Sequence, residues 1–168
     1  QYYCYVLDEK DRIQGYEKDD LIVEVFTTEE DLLQKFFDKY SEIQPTILSG
    51  WNTDNFDIPY LYHRAEKVLN EHIAKFLSPI KQIRLNTISG KYEIAGVSSL
   101  DYLRLYKNLT FSQRQSYRLD AIAEHELGEK KVEYEGTLND LYENDIQKFI
   151  DYNVQDVRLI KRLDEKLD

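Results

Sequence analysis

The run Thr46-Ile47-Leu48-Ser49-Gly50-Trp51 constrains this chain more than any other segment. It is short and mostly apolar, with Pro45 before it and the polar stretch Asn52-Thr53-Asp54-Asn55 after it. Before Pro45, Leu32, Leu33, Phe36, Phe37, Tyr40 and Ile43 recur at helical period. Proline cannot continue that helix, so the chain must leave it there. The apolar run that follows reads as a buried strand and suits a parallel position. A second helix is predicted from near Asp57 towards Asn70, with Pro59 in the first turn, where a missing N–H costs nothing.

The remaining segments extend this pattern. Tyr2 to Leu7 reads as a strand, Asp8 to Asp20 as a charged turn containing Gly15, and Leu21 to Phe26 as a second strand pairing back as a hairpin. Thr27 and Glu30 have capping-box spacing at the head of the first helix. Ile83 to Val97 reads as an extended arm turned at Ser89-Gly90-Lys91. Leu100 to Leu109 and Tyr117 to Leu127 read as helices, the latter stopped by Gly128, and a last helix runs from about Asp145 to Leu167. Strand, strand, helix, strand, helix and then mostly helix is an α/β pattern. There is no repeat, low-complexity tract or internal linker, so residues 1–168 are expected to form a single domain.

Composition removes several classes. No apolar run approaches the ~20 residues of a membrane span. Cys4 is the only cysteine, which rules out an internal disulfide and a Cys-rich zinc site and fits a reducing, cytoplasmic setting. The chain contains no Met and opens on Gln1-Tyr2-Tyr3, already strand-like, so it is expected to be a piece of a longer protein. A formal net charge of −10 is the wrong sign for phosphate contacts made by Lys and Arg. It does not exclude a nuclease, because carboxylates that bind divalent cations invert the local sign. The 14 tyrosines leave aromatic rings for base stacking, although core packing accounts for most of them.

Two acidic motifs carry the chemistry. Asp57 follows a buried strand and opens a helix, the usual place for ligand chemistry in open α/β sheets; capping that helix is the alternative role. Asn52 is expected to bond the turn, and Phe56 either packs inward or lines a cleft. In the last helix Ile146, Phe149, Ile150, Val154, Val157 and Ile160 form an apolar stripe, with Tyr152 and Asp156 stacked on its shoulder, level with Leu163. A carboxylate there needs a partner, either a metal ion or an arginine.

Taken together, Asn52-x-x-x-Phe56-Asp57 and, about a hundred residues later, Tyr152-x-x-x-Asp156 resemble the second and third exonuclease motifs of the proofreading domain of family B DNA polymerases. Gly50-Trp51-Asn52, Phe56-Asp57-Ile58-Pro59-Tyr60, Val97 to Leu103 and Ser116 to Ala123 are similar to the tailed-phage replicative enzymes of that family. The resemblance implies a ribonuclease-H-like fold and 3′→5′ exonuclease activity on an unpaired primer 3′ end, with two divalent ions, Mg²⁺ or Mn²⁺. It implies that Asp57 ligates the ion at the leaving 3′ oxygen and Asp156 the ion at the attacking water, that Tyr152 orients that water, and that Asn52 and Phe56 meet the substrate. Asp151 stands where a sister class carries a histidine, so the resemblance is to the tyrosine type. His63, His72 and His125 take no role. The arm at 83–97 matches a β-hairpin that the family uses to part primer from template, with a plain surface hairpin as the alternative.

The family's first motif, an Asp-x-Glu on the central first strand, occurs nowhere in the chain. The expectation is therefore a fragment that lacks that strand and is nearly inactive alone. Its sheet should be split, rearranged, or completed by a homodimer or strand-swapped copy. The implied partners are single-stranded DNA and the remaining polymerase domains of a parent chain, with no membrane, in the host cytoplasm if the source is viral. A non-catalytic DNA-guiding module and a stand-alone exonuclease are the competing readings.

Overall fold

A computed structural model of the chain describes residues 1–110, 113–129 and 132–167. The chain is mixed α/β and divides into two compact units, one of Gln1–Cys4, Ile13–Glu24 and Thr110–Asp168, the other of Tyr5–Arg12 and Val25–Leu109.

Strands β1 (Tyr2–Leu7), β2 (Tyr16–Lys18) and β3 (Leu21–Phe26) form a sheet in the order β1-β3-β2. The tight hairpin joins β2 to β3, pairing Tyr16 with Val23 and Lys18 with Leu21, with Asp19 at a left-handed φ of 53° in its turn. Leu21–Phe26 is thus the middle strand, and the expected charged turn contains a short strand of its own. The polar Tyr-Glu-Lys triplet has no alternation to announce it and becomes a strand through its pairing.

Helix α1 (Glu29–Ile43) ends before Pro45 as expected, but begins one residue later than the Thr27–Glu30 spacing implied. Thr28 is the cap: its Oγ1 accepts the Asp31 N–H at 3.2 Å and donates to the Asp31 carboxylate at 2.7 Å. Strand β4 (Ile47–Gly50) follows, then α2 (Asp57–Val68), α3 (Glu71–Ala74) and a 3₁₀ turn (Lys75–Leu77). Strands β5 (Ile83–Asn86) and β6 (Lys91–Ile94) form the expected arm, paired antiparallel from Ile83–Ile94 to Asn86–Lys91.

Strand β7 (Ser98–Asp101) lies parallel to β4, Ile47 opposite Ser98 and Gly50 opposite Asp101, and α4 (Tyr102–Leu109) follows it. The parallel placing expected of β4 is found, but the burial expected with it is not, since only Gly50 of the four residues is fully buried. Among the described residues β4 pairs with β7 alone, and by strand alternation Leu48 packs on the core while Ile47 is 56% exposed. The helix expected over 100–109 gives its first two residues to β7, because Ser98 N donates to Thr46 O at 2.8 Å and starts a ladder there. The core of this unit joins Phe37 and Tyr40 of α1, Ile58, Tyr62 and Ala65 of α2, Ala74, Leu77, and Ile94 of β6.

In the other unit, α5 (Leu119–Leu127) and α6 (Leu138–Asn144) pack on α7 (Ile146–Leu167). Gly128 takes φ 70° at the end of α5, the left-handed cap its position called for. The buried row of α7 is Ile146, Ile150, Val154, Leu159 and Leu163. Val157, expected on that stripe, is 54% exposed. With two helices packed on it, the buried side of α7 is wider than one stripe and takes in the row that contains Leu159 and Leu163.

Candidate active site

Asp57 is the first residue of α2, beyond the carboxyl end of β4. The turn between them is built by short-range bonds. Asn52 adopts a left-handed φ of 64°, a conformation that suits Asn better than bulkier residues. Its carbonyl accepts Asn55 N and Phe56 N at 3.2 and 3.1 Å, and its Oδ1 accepts Asn55 Nδ2 at 2.9 Å. Phe56 precedes the helix without a side-chain cap, and Asp57 lies inside the first turn, so Asp57 does not occupy the capping position. The Phe56 and Tyr60 rings are both exposed and stack one turn apart, 6.2 Å between centroids and 5° from parallel.

Two further acids hold this turn from beneath. Asp101, at the end of β7, is 3% exposed and accepts three backbone N–H groups: Asn52 and Leu103, each at 3.0 Å, and Asp54 at 3.2 Å. Asp54, also buried, accepts Lys91 Nζ at 2.8 Å and the Ser99 hydroxyl. Desolvation works to raise the Asp54 pKa, but the Lys91 and Ser99 bonds and the charges of Lys91 and Arg104 outweigh it, holding the carboxyl below its ordinary range. Asp57 behaves oppositely. Desolvation by the protein around it raises its pKa, its own backbone N–H offsets part of this, and the charge of Asp101 raises it further.

A carboxylate with a negative neighbour is one that a bound cation would relieve, and hard oxygen donors suit Mg²⁺ or Mn²⁺. Asp57 fits that donor chemistry. Among the described residues, however, no three His, Cys, Asp or Glu side chains are grouped closely enough to hold a metal ion.

Tyr152 and Asp156 lie on α7 in the other unit, four residues apart and both half-buried. The Tyr152 ring meets Tyr134 edge to face, 5.4 Å between centroids and 83° between planes. Continuing the same helical row, Leu159 and Leu163 are 4% and 0% exposed, so Tyr152 and Asp156 sit on the buried side's extension, as the level of Leu163 had suggested. Asp151 is exposed and accepts Gln147 Nε2 at 3.1 Å. The structure therefore gathers Asn52, Phe56 and Asp57 in one turn, and Tyr152 and Asp156 on one helix of the other unit.

The profile of the DNA polymerase family B exonuclease domain matches residues 6–122. The chain belongs to that family. Its relatives include the DNA-directed DNA polymerases of Escherichia phage RB69, 38% identical over 154 residues, and of Enterobacteria phage T4, 35% identical over 153. DNA polymerase 1 of Saccharolobus solfataricus is 35% identical over 170 residues. These alignments take in 88%, 88% and 94% of this chain but 17% of each relative, so this exonuclease domain spans about a sixth of polymerases of that kind. The profile covers Asn52, Phe56 and Asp57 and stops before Tyr152 and Asp156. No helix among the described residues is long and apolar enough to cross a membrane.

Sequence reasoning noted the stretch Val97 to Leu103 but gave no role to Asp101, and it passed over Asp54. A signal for Asp101 was present: a lone acid closing a short segment just before a helix, where backbone N–H groups are left over. Asp54 carried no such signal, because its partners Lys91 and Ser99 lie 37 and 45 residues away.

Proposed function

We propose that this domain removes nucleotides from the 3′ end of single-stranded DNA as the proofreading part of a longer DNA polymerase. The observation that carries the reading is the position of Asp57: an acid of raised pKa in the first helical turn beyond a parallel strand, in a chain of the family B exonuclease family. Asp57 and Asp156 are the metal ligands, Mg²⁺ or Mn²⁺ being the ions. When bound, such ions supply an activated water and charge neutralisation at the departing 3′ oxygen. Tyr152, in the tyrosine type of site, holds the attacking water by its hydroxyl. Phe56 offers a bare ring face to a terminal base, and Asn52 shapes the turn that presents it. A paired terminus must first be unpaired, costing a few kcal/mol, which favours single strands and mismatched ends.

The same reading takes the fold as ribonuclease-H-like over residues 1–168, a single functional domain in the cytoplasm, with the β5–β6 arm helping to separate primer from template. Its central first strand, bearing Asp-x-Glu, would be supplied from outside this sequence, by the parent chain or by a second copy. The absence of any Asp-x-Glu from the chain motivates that part of the reading. It equally favours the second reading, a non-catalytic DNA-guiding module.

The deciding experiment follows degradation of 5′-labelled single-stranded DNA in Mn²⁺ by this chain and by the same chain extended upstream to include an Asp-x-Glu strand. The extended protein should shorten DNA from the 3′ end, and this chain should be at least about a thousandfold slower, the equivalent of ~4 kcal/mol of lost transition-state stabilisation. Asp57→Ala and Asp156→Ala should abolish the activity of the extended protein, and Tyr152→Phe should reduce it. An extended protein that binds DNA without cutting it would favour the guiding module. Full activity in Asp57→Ala would remove Asp57 from the site.

A further inference from the structure

Side chains from two consecutive residues of β6 join the β5–β6 arm to the turn that carries Phe56 and Asp57 and to the helix that follows that turn. Lys91, first in β6, places its Nζ 2.8 Å from Asp54 Oδ2, its own side chain being 25% exposed and that of Asp54 7%. Tyr92 donates or accepts a hydrogen bond with His63 Nε2 on α2 at 2.9 Å, and its ring packs on Tyr62 with centroids 5.0 Å apart. His63 is in turn bonded through Nδ1 to Glu66, so the histidine that had no role in the sequence joins arm to helix.

The arm itself is stiff. Asn86 Oδ1 accepts the N–H groups of Ile88 and Ser89 at 3.0 and 3.1 Å, and Arg84 and Asn86 both bond Glu93 across the pair. The turn is equally short of slack, since Asp101 binds the N–H of Asn52 and of Asp54, and Ile58 N bonds Thr53 O at 3.0 Å. Asp54, itself buried, is therefore bonded to the arm through its side chain and to the floor of the turn through its backbone.

We propose that Lys91 is a positioning residue: its ion pair with Asp54 latches the arm to the active-site turn, so that the placement of the arm sets the placement of Phe56 and Asp57. Withdrawing Lys91 would leave a buried carboxylate with the Ser99 hydroxyl as its remaining side-chain partner among the bonds described, an arrangement the turn would relieve by opening to water. A force on the exposed arm, whose tip residue Ile88 is 98% exposed, is in this way felt at Asp57 rather than dissipated in a loop. The functional consequence rests on the reading of Asp57 as a metal ligand; the mechanical coupling does not.

Amide hydrogen exchange in this chain tests the coupling without metal or DNA. Lys91→Met should accelerate exchange at least tenfold at Asn52, Asp54 and Ile58 while leaving Phe37 and Tyr40 of α1 unchanged. Lys91→Arg, which keeps the charge, should restore most of the protection, and Lys91→Met added to Asp54→Asn should accelerate exchange no further. Acceleration confined to Ile88, Ser89 and the arm, or full additivity of the two substitutions, would overturn the proposal. If Lys91→Met also loosens α1, the Lys91→Arg rescue and the double-substitution comparison still decide it. Because exchange is read without substrate, a failed latch leaves the nuclease reading standing, and a failed nuclease assay leaves the latch standing.

Discussion

Replacing Asp101 by alanine is the most revealing single perturbation of this domain. The carboxylate is 3% exposed and accepts three backbone N–H groups, from Asn52, Asp54 and Leu103. Hydrogen bonds to an ionised acceptor contribute about 1.5–3 kcal/mol each, which bounds the loss at roughly 4–9 kcal/mol. The turn is not deeply covered, Asn52 being half-buried and Asn55 exposed, so water entering the space left by the carboxyl can satisfy part of what is lost. The expected cost of Asp101→Ala is therefore about 3–4 kcal/mol, a large share of the 5–15 kcal/mol typical of a domain. Asp101→Asn should cost about half as much. The amide oxygen can keep the Asn52 and Leu103 bonds, both made to Oδ1, while the NH₂ group meets the Asp54 N–H donor to donor.

Urea unfolding with linear extrapolation gives the free energies. Trp51, the only tryptophan, adds a local probe beside the turn, with its ring 6.4 Å from Tyr102 and 6.0 Å from Tyr106. A cost below about 1 kcal/mol for Asp101→Ala, or equal costs for the alanine and asparagine variants, would refute the idea that three charge-assisted bonds hold this turn. In a stable Asp101→Asn variant, the Asp57 carboxyl should titrate lower than in the parent, since the charge of Asp101 helps to raise it.

Asp57→Asn should leave stability unchanged near pH 3 and raise Tm slightly at pH 7: a folded-state pKa above the ordinary 3.8 means the native state binds its proton more tightly, so stability is lost as pH rises through that interval, and asparagine removes the loss. An identical Tm difference at both pH values, by thermal melting, would contradict this. Gly50→Ala should destabilise by about 1–3 kcal/mol, because an added Cβ would lie 2.3 Å from the Thr53 Cγ2 and one of the two would have to shift. Thr53→Val should be neutral or stabilising by up to about 1 kcal/mol in urea titration, since the buried Thr53 hydroxyl has no hydrogen-bond partner among the described residues and valine keeps the shape. Leu163→Ala should cost about 2–5 kcal/mol, as the side chain is 0% exposed under the helices that pack on α7; a cost under ~1 kcal/mol would mean that the row of Tyr152 and Asp156 does not lead into that unit's core.

Periodicity and punctuation made the long elements legible. The apolar repeat of α1 ended at Pro45, the strand after it paired in parallel, α2 opened at Asp57 with Pro59 in its first turn, and α7 and the arm ran close to their expected bounds. The polar segments Tyr16–Lys18 and Ser98–Asp101 were not legible, because neither alternates and each becomes a strand only when an apolar neighbour offers its ladder. The family was legible in two short motifs about a hundred residues apart, and the position of Asp57 in the residues on either side of it, where local spacing and side-chain chemistry leave little freedom. The support beneath Asp57 could not. Asp101 reaches back 49 residues to Asn52, and Lys91 reaches back 37 to Asp54, and bonds across such separations exist only after folding has closed the intervening chain. One-dimensional order therefore determined which acid stands at the end of β4, and three-dimensional packing decided which other acids hold it there, because a buried carboxylate takes its partners from whatever donors the core brings to it.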